Sequence, residues 1–183
     1  MTSGLVFQRC MQLTPVVRLR QLVRECKERR QKILGICFGH QLVGTAFGAR
    51  VGRAPCGWEV GVRTLKFTKE FVSRFGEPPE PVNILQSHQD QVLELPPGAV
   101  LLASSPKTPI EMFSMGDEVL CIQGHPEFLP DIVQGIIAER RDSELIPEDT
   151  AKEGLDSLDS LEPSNDFLNL LCRRFLEGAT APS

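Results

Sequence analysis

The feature that most constrains this chain is a short apolar run that ends in a cysteine flanked by glycines. Ile33–Ile36 leads into Cys37, Gly35 and Gly39 lie two residues to either side, and a helix-compatible segment, 41–47, follows directly. This pattern is typical of a nucleophile elbow, a sharp strand-to-helix turn that exposes the nucleophile. We expect Cys37 to adopt a sparsely populated backbone conformation, and side chains at either glycine position to collide. The alternative is that Cys37 packs in a core, as free cysteines often do.

The composition favours one ordinary globular domain with a full hydrophobic core. The chain has 183 residues, 41% of them hydrophobic, and a formal net charge of −4 that gives no reason to expect nucleic acid. Its six cysteines include no CxxC pair, which indicates a reducing compartment rather than a disulfide framework. Because no apolar run reaches membrane-spanning length and no signal-peptide pattern opens the chain, we expect no membrane contact and a cytoplasmic location. Organelle targeting is the alternative, since no acidic residue precedes Glu25 while four arginines do.

Hydrophobic periodicity predicts an α/β sheet in which strands alternate with helices, with some short antiparallel strands in the second half. The predicted helices are 15–30, 41–47, 69–75 capped by Thr68, 130–140, and a last helix capped by Ser164 and ended by Gly178. The predicted strands are 33–36, 60–65, 82–85, 100–103, 110–113 and 119–123. Segment 86–90 is predicted as a polar loop, and the acidic segment 142–162 as a solvated loop or a loosely held helix. By this division residues 1–15 are an unpatterned N-terminus with a strand-like piece at 5–7, 16–140 form the domain, and 141–183 hold the acidic segment and the last helix.

Two of these strands deliver reactive side chains to the same edge of the sheet. Cys37 follows strand 33–36 and His125 follows strand 119–123, and in open α/β sheets ligands bind outside the carboxyl ends of strands. Glu127 lies two residues after His125, so in an extended segment both side chains point to the same side. This predicts a Cys–His–Glu triad in which the acid fixes the tautomer and the base activates the thiol. The alternative for Glu127 is a surface carboxylate favoured by a helix dipole.

The other histidines are weaker candidates. His40 lies in the first turn after Cys37, where it caps or packs, and His88 lies in a predicted loop that reaches the same edge. A metal site built from Cys37, His40, His88 and His125 shows none of the usual ligand spacings, and neither a phosphate-binding nor a dinucleotide fingerprint is present. We therefore expect neither a metal nor a cofactor.

The two motifs resemble those of the class I glutamine amidotransferase family. Residues 35–41, Gly-Ile-Cys-Phe-Gly-His-Gln, are similar to the family's Gly-x-Cys-x-Gly-x-Gln elbow, and residues 124–127 to its Gly-His-Pro-Glu element, in the family's order. More narrowly, the chain resembles the plant γ-glutamyl peptidases, free-standing enzymes that remove the γ-glutamyl residue from glutathione conjugates. The segments that carry this narrower resemblance are 57–62, 87–92, 111–113 and 122–128.

The resemblance implies a flavodoxin-like fold, a mostly parallel sheet flanked by helices. Family members carry two strand–helix units before the elbow, and a loop of the second supplies one oxyanion donor. Only some thirty residues precede Ile33 here, so we expect the first strand–helix units to be lacking.

The resemblance also implies a role for each candidate residue. Cys37 would be the nucleophile, His125 the base and Glu127 its orienting acid. The backbone N–H of Phe38, the residue after the nucleophile, is the expected oxyanion donor. The remaining candidates, which would hold the γ-glutamyl group of a small substrate, are Gln41, Ser87 and His88.

Three functions remain open from the sequence. The first is a hydrolase that cleaves γ-glutamyl amides of small peptides or conjugates through a γ-glutamyl thioester. The second is a glutaminase subunit that passes ammonia to a synthetase, which would have to be a separate partner. The third is a non-catalytic protein that binds γ-glutamyl compounds or a partner.

Overall fold

The structure, a computed structural model, describes residues 14–178, in which helices and strands alternate through the first half. The strand-like piece predicted at 5–7 lies outside the described residues. The helices are α1 (Thr14–Glu28), α2 (Phe38–Ala46), α3 (Lys69–Phe75), α4 (Pro130–Asp142), α5 (Glu148–Ser160) and α6 (Asn165–Glu177). The strands are β1 (Ile33–Ile36), β2 (Arg50–Arg53), β3 (Glu59–Thr64), β4 (Lys66–Phe67), β5 (Asn83–His88), β6 (Asp90–Glu94), β7 (Val100–Ser104), β8 (Met112–Met115) and β9 (Val119–Ile122).

The central sheet has five strands in the order β1-β9-β8-β7-β4. β1 and β9 pair in parallel, from Ile33 opposite Val119 to Ile36 opposite Ile122. β8, β7 and β4 extend the sheet in antiparallel fashion, because short connections such as 116–118 cannot make the long crossover that a parallel pair needs. The α/β class and the antiparallel strands of the second half are confirmed, and among the described strands the parallel part of the sheet is the β1–β9 pair.

Helices cover both faces of this sheet, which buries β9 completely. Val119 and Cys121 face a core that includes Val43 of α2, and Leu120 and Ile122 face the core that includes the apolar side of α6. This division follows the two-residue period of a strand. The strand that leads to His125 is therefore held by packing on both sides.

Two segments differ from the sequence prediction. Segment 86–90 is not a loop: β5 continues to His88, and β6 begins at Asp90. Gln86, Ser87 and His88 are buried where the segment pairs with β3. Tertiary hydrogen bonds, from Gln86 to Glu111 and from Arg140 to Ser87, replace part of the water that these polar side chains would otherwise bind. Segment 142–162 contains α5, and this helix is not loosely held, because a Cβ at Gly154 would lie 2.8 Å from Val60 Cγ2 of β3.

The helix ends follow the sequence signals with two exceptions. Thr68 caps α3 by accepting from Phe71 N, and Gly178 ends α6 in the left-handed conformation, as predicted. Ser164 precedes α6, but its hydroxyl accepts from Asn83 N at 3.1 Å instead of capping its own helix. α2 begins at Phe38 rather than Gln41, so Cys37 is followed directly by helix. None of the helices within 14–178 is long and apolar enough to cross a bilayer.

Candidate active site

Cys37 forms the turn between β1 and α2 in a strained backbone conformation. Its φ of 50° and ψ of −103° lie in a region that side chains other than glycine rarely adopt, as expected for an elbow. A Cβ at Gly35 would lie 2.8 Å from Gly39 O, so the collision predicted there is confirmed. The same prediction for Gly39 is wrong, since a Cβ at that position would point into open space.

His125 is held in one position by both its backbone and its ring. Its N–H donates to Leu85 O of β5 at 2.8 Å, and its ring stacks on Phe128 with centroids 3.9 Å apart. Nδ1 lies 2.7 Å from Glu127 Oε1. Because an ionised carboxylate only accepts hydrogen bonds, Nδ1 carries a proton, and Nε2 is left for the side chain of Cys37. The structure thus brings Cys37, His125 and Glu127 together.

These contacts set the charge of the imidazole. Burial lowers the pKa of His125, but hydrogen bonds to Cys37 and Glu127 outweigh burial and raise this pKa to about 9. Burial acts to raise the pKa of Glu127. The hydrogen bond from His125, a backbone hydrogen bond and the charge of His125 together outweigh burial, so the pKa of that carboxyl is lowered. At neutral pH an imidazolium therefore lies between a carboxylate and the sulfur.

His40 and His88 are buried neutral histidines. Burial lowers the pKa of His40 to about 3, with a further contribution from His88, and the ring packs 4.9 Å from the ring of Phe113. His40 thus packs rather than caps. Burial and the charge of His125 lower the pKa of His88 to about 4. His88 is the last residue of β5, with Nε2 3.5 Å from Glu59 Oε2, and not a loop residue as predicted.

Gln41 and Ser87, the other residues expected at the substrate, are buried and bonded to the protein. Gln41 Nε2 donates to Asp90 O at 2.7 Å and to Gln123 Oε1 at 3.2 Å. Ser87 Oγ accepts from Arg140 Nη1 at 2.8 Å. Both side chains therefore reach any ligand through a neighbouring residue.

Phe38, by contrast, is 43% exposed at the first position of α2. The N–H groups of a first helical turn have no acceptor within the helix, and the positive end of the helix dipole lies there. The N–H of Phe38 is therefore suited to a negatively charged oxygen. No cluster of metal-ligating side chains occurs within the described part of the chain.

Comparison with known proteins identifies the family. Residues 13–136 match the family described as glutamine amidotransferase class-I. The chain belongs to this family. It is 36% identical over 168 residues to γ-glutamyl peptidase 3 of Arabidopsis thaliana, an alignment that covers 89% of this chain and 68% of that protein. It is also 35% identical over 128 residues to the glutamine-hydrolysing GMP synthase subunit of Pyrococcus abyssi, covering 68% of this chain and 66% of that protein.

The solved structures agree with this assignment at the level of fold. The crystal structure of a glutamine amidotransferase from Thermotoga maritima has a TM-score of 0.68 at 24% identity, covering 91% of this chain and 72% of that one. The chain spans about two thirds of the length of the γ-glutamyl peptidases it matches. The resemblance read from the two motifs is therefore confirmed.

One basic residue of this amidotransferase domain was not singled out in the sequence. Arg140, near the end of α4, donates to Ser87 and stacks 4.4 Å above the ring of Trp58. Burial lowers the pKa of Arg140, and a favourable interaction with Cys37 opposes this shift, so the guanidinium lies within electrostatic range of the sulfur. No local pattern marks Arg140, because its approach to the site depends on how α4 packs.

Gln123 is the second residue that was missed. It is fully buried, and its Nε2 lies 3.7 Å from Cys37 Sγ. A signal for it was present in the sequence. In an extended segment, side chains two residues apart point to the same side, which is why we expect Glu127 beside His125. The same alternation places Gln123, two residues before His125, on that side as well.

Proposed function

We propose that this chain is a cysteine-dependent γ-glutamyl hydrolase that cleaves small γ-glutamyl peptides or glutathione conjugates. The observation that carries the proposal is the placement of Cys37 at the strained turn between β1 and α2 together with the His125 ring, whose Nδ1 lies 2.7 Å from Glu127 Oε1. Interactions with Cys37 and Glu127 raise the pKa of His125 to about 9. An imidazolium beside a sulfur favours the thiolate, the reactive form of cysteine. The similarity to γ-glutamyl peptidase 3 supports the choice of substrate class.

Acylation begins with attack of the Cys37 thiolate on the γ-carbonyl carbon. The carbonyl oxygen becomes negative and accepts a hydrogen bond from the N–H of Phe38 at the start of α2. The C–N bond then breaks as His125 Nε2 donates its proton to the departing amine. Glu127 keeps the ring oriented and stays ionised throughout.

Deacylation uses the same groups in reverse. Neutral His125 takes a proton from water, and the resulting hydroxide attacks the thioester carbon. The C–S bond breaks, glutamate leaves, and the thiolate–imidazolium pair of Cys37 and His125 is restored. Each proton and electron pair is accounted for by these residues and water, so the sequence of steps needs no cofactor.

Arg140 provides a charge for recognition of the substrate. A γ-glutamyl group carries a free α-carboxylate, and a guanidinium held by Ser87 and the face of Trp58 is preorganised to bind one. We assign the carboxylate to Arg140. The three buried residues expected at the substrate then act by supporting the groups that touch it: Gln41, Ser87 and His88.

The test is hydrolysis of a glutathione S-conjugate, followed as release of glutamate. Cys37→Ser should lower the rate by about 10³-fold or more, because it removes the nucleophile on which both steps depend. Cys56→Ser is the matched control, since Cys56 is also a free thiol and is more exposed. Equal rates for the wild type and Cys37→Ser would contradict the proposal, and if both are inert the non-catalytic alternative is left.

The second candidate is a glutaminase subunit that supplies ammonia to a synthetase. It is favoured by the similarity to the GMP synthase subunit of Pyrococcus abyssi, which is glutamine-hydrolysing by name. The two candidates differ in substrate and in dependence on a partner. Hydrolysis of γ-glutamyl peptides by the chain alone supports the first. Ammonia release from glutamine that appears only when another protein is added supports the second.

A further inference from the structure

Gln123 lies where the two motifs of the site meet. It follows β9 directly, and its backbone N–H donates to Glu111 O at 2.8 Å, which continues the pairing of β8 with β9. The residue before it, Ile122, accepts a hydrogen bond from the backbone of Cys37 at 2.9 Å. The backbone of Gln123 is therefore fixed relative to the nucleophile.

The carboxamide of Gln123 can take only one orientation. Asp90 O is a carbonyl and only accepts, so the group of Gln41 that contacts it at 2.7 Å is the NH₂. The same NH₂ lies 3.2 Å from the carboxamide of Gln123, whose facing atom must then be the oxygen. The NH₂ of Gln123 is consequently turned towards Cys37 Sγ, 3.7 Å away.

We propose that Gln123 is a catalytic residue that donates a hydrogen bond to the Cys37 sulfur and stabilises it as a thiolate. The inference rests on the proposed role of Cys37 as nucleophile and adds a second hydrogen-bond donor to its sulfur. His125 is a charged donor that titrates, whereas Gln123 is neutral. A carboxamide has no charge and does not titrate, so it donates equally at every pH at which the protein is folded. Gln123 is fully buried, so water does not compete for its N–H, which strengthens this hydrogen bond.

The donor acts at two steps of the reaction. Before attack, it favours the thiolate over the thiol, because hydrogen bonds to ionised acceptors are the strong ones. In the thioester the sulfur is neutral and the hydrogen bond weakens. When hydrolysis breaks the C–S bond, the electron pair returns to the sulfur, and the N–H of Gln123 stabilises the departing thiolate. No atom of Gln123 is transferred.

The test is the pH dependence of Cys37 alkylation by iodoacetamide in the full chain, which reports the thiolate without requiring turnover. Gln123→Met removes the donor, and Gln123→Glu replaces it with an acceptor of the same shape. We expect the pH midpoint of alkylation to rise by about one unit in Gln123→Met and by more in Gln123→Glu, with about a tenfold slower reaction below the midpoint. The control is Gln86→Met, in which an equally buried carboxamide that donates to Glu111 is lost.

The midpoint separates this inference from the proposed function. Unchanged midpoints in folded Gln123→Met and Gln123→Glu would overturn the inference and leave Cys37 as the nucleophile. The same holds if Gln86→Met shifts the midpoint as far, because the effect would then be one of general destabilisation. A shift confined to the Gln123 variants supports the inference, even if the wild type fails to hydrolyse γ-glutamyl peptides. If Gln123→Met does not fold, Gln123→Glu decides alone, since its side chain fills the same volume.

Discussion

The backbone N–H of Cys37 donates to the carbonyl of Ile122 at 2.9 Å, which joins the end of β1 to the end of β9. The parallel register between these strands thereby fixes the elbow relative to the segment that carries His125. A shift of one residue in that register would turn the side chain of His125 to the opposite face. The position of Cys37 relative to His125 is therefore set by the backbone pairing of β1 with β9, and the side chains carry out the reaction.

The two glycines of the elbow should respond oppositely to alanine. Gly35→Ala places a Cβ 2.8 Å from the backbone of Gly39, and we expect it to lower the free energy of unfolding by about 1–3 kcal/mol. Gly39→Ala meets nothing within 4 Å and lies inside α2, so it should raise that free energy by up to about 1 kcal/mol. Urea denaturation measures both. Equal destabilisation by the two variants would contradict the geometry of the turn.

Removing the charge of Glu127 should lower the pKa of His125. The wild-type value of about 9 depends in part on this carboxylate, so Glu127→Gln should bring the pKa down by about one unit or more. NMR titration of the ring protons can follow this, because the chain has three histidines and the other two have pKa values of about 3 and about 4. Asp131→Asn, which removes a carboxylate from the first turn of α4, should leave the titration unchanged. If Glu127→Gln also leaves it unchanged, the hydrogen bond to Glu127 does not set this charge.

The sequence predicted the parts of the site that local patterns encode, and failed where tertiary contacts decide. The apolar runs of β1 and β9 and the two motifs were enough to bring Cys37, His125 and Glu127 to one edge of the sheet. The polar side chains of segment 86–90 predict a loop, yet Gln86, Ser87 and His88 belong to β5 and are buried. Its stability comes from pairing with β3 and from bonds such as Arg140 to Ser87, and no local pattern records these.

The buried histidines should make the protein sensitive to acid. The pKa of His40 is lowered to about 3 and that of His88 to about 4, whereas an unfolded histidine has its ordinary value of 6.5. Below about pH 6.5 each of these histidines binds a proton in the unfolded chain but not in the folded chain. The free energy of unfolding therefore falls as the pH drops from about 6.5 to the folded pKa of each ring. For His40 this loss approaches about 1.4 kcal/mol per pH unit.

A comparison of variants isolates this effect. Glu111 has the opposite effect on stability. Burial raises the pKa of its carboxyl from 4.5 to about 8, so between these two pH values the folded chain holds a proton that the unfolded chain releases, and stability rises as the pH falls. Urea denaturation of the wild type and His40→Gln should therefore be compared at each pH from 7 to 4. We expect the difference in free energy of unfolding between them to shrink steadily below about pH 6.5. A constant difference would show that His40 is not buried as a neutral ring.

Arg140→Gln should weaken binding of substrates that carry a free α-carboxylate. We expect the KM of a γ-glutamyl peptide to rise about tenfold or more, since a charge-assisted hydrogen bond is lost. An analogue with that carboxylate converted to an amide should be hydrolysed equally by both proteins. Arg141→Gln is the control, because the neighbouring Arg141 is partly exposed and pairs with Asp142 instead. A similar rise in KM for both variants would point to net charge rather than to a specific contact.

The most direct test of the central claim is covalent labelling with an electrophilic glutamine analogue, mapped by mass spectrometry. The γ-carbonyl position of such an analogue should come within reach of Cys37, with its α-carboxylate on Arg140. We expect one adduct per chain, on Cys37, blocked by excess γ-glutamyl peptide. Cys56 should stay unlabelled although it is largely exposed, because partial burial and the charge of Glu59 raise the pKa of its thiol. Labelling of Cys56 with Cys37 unmodified, or no labelling at all, would contradict the account.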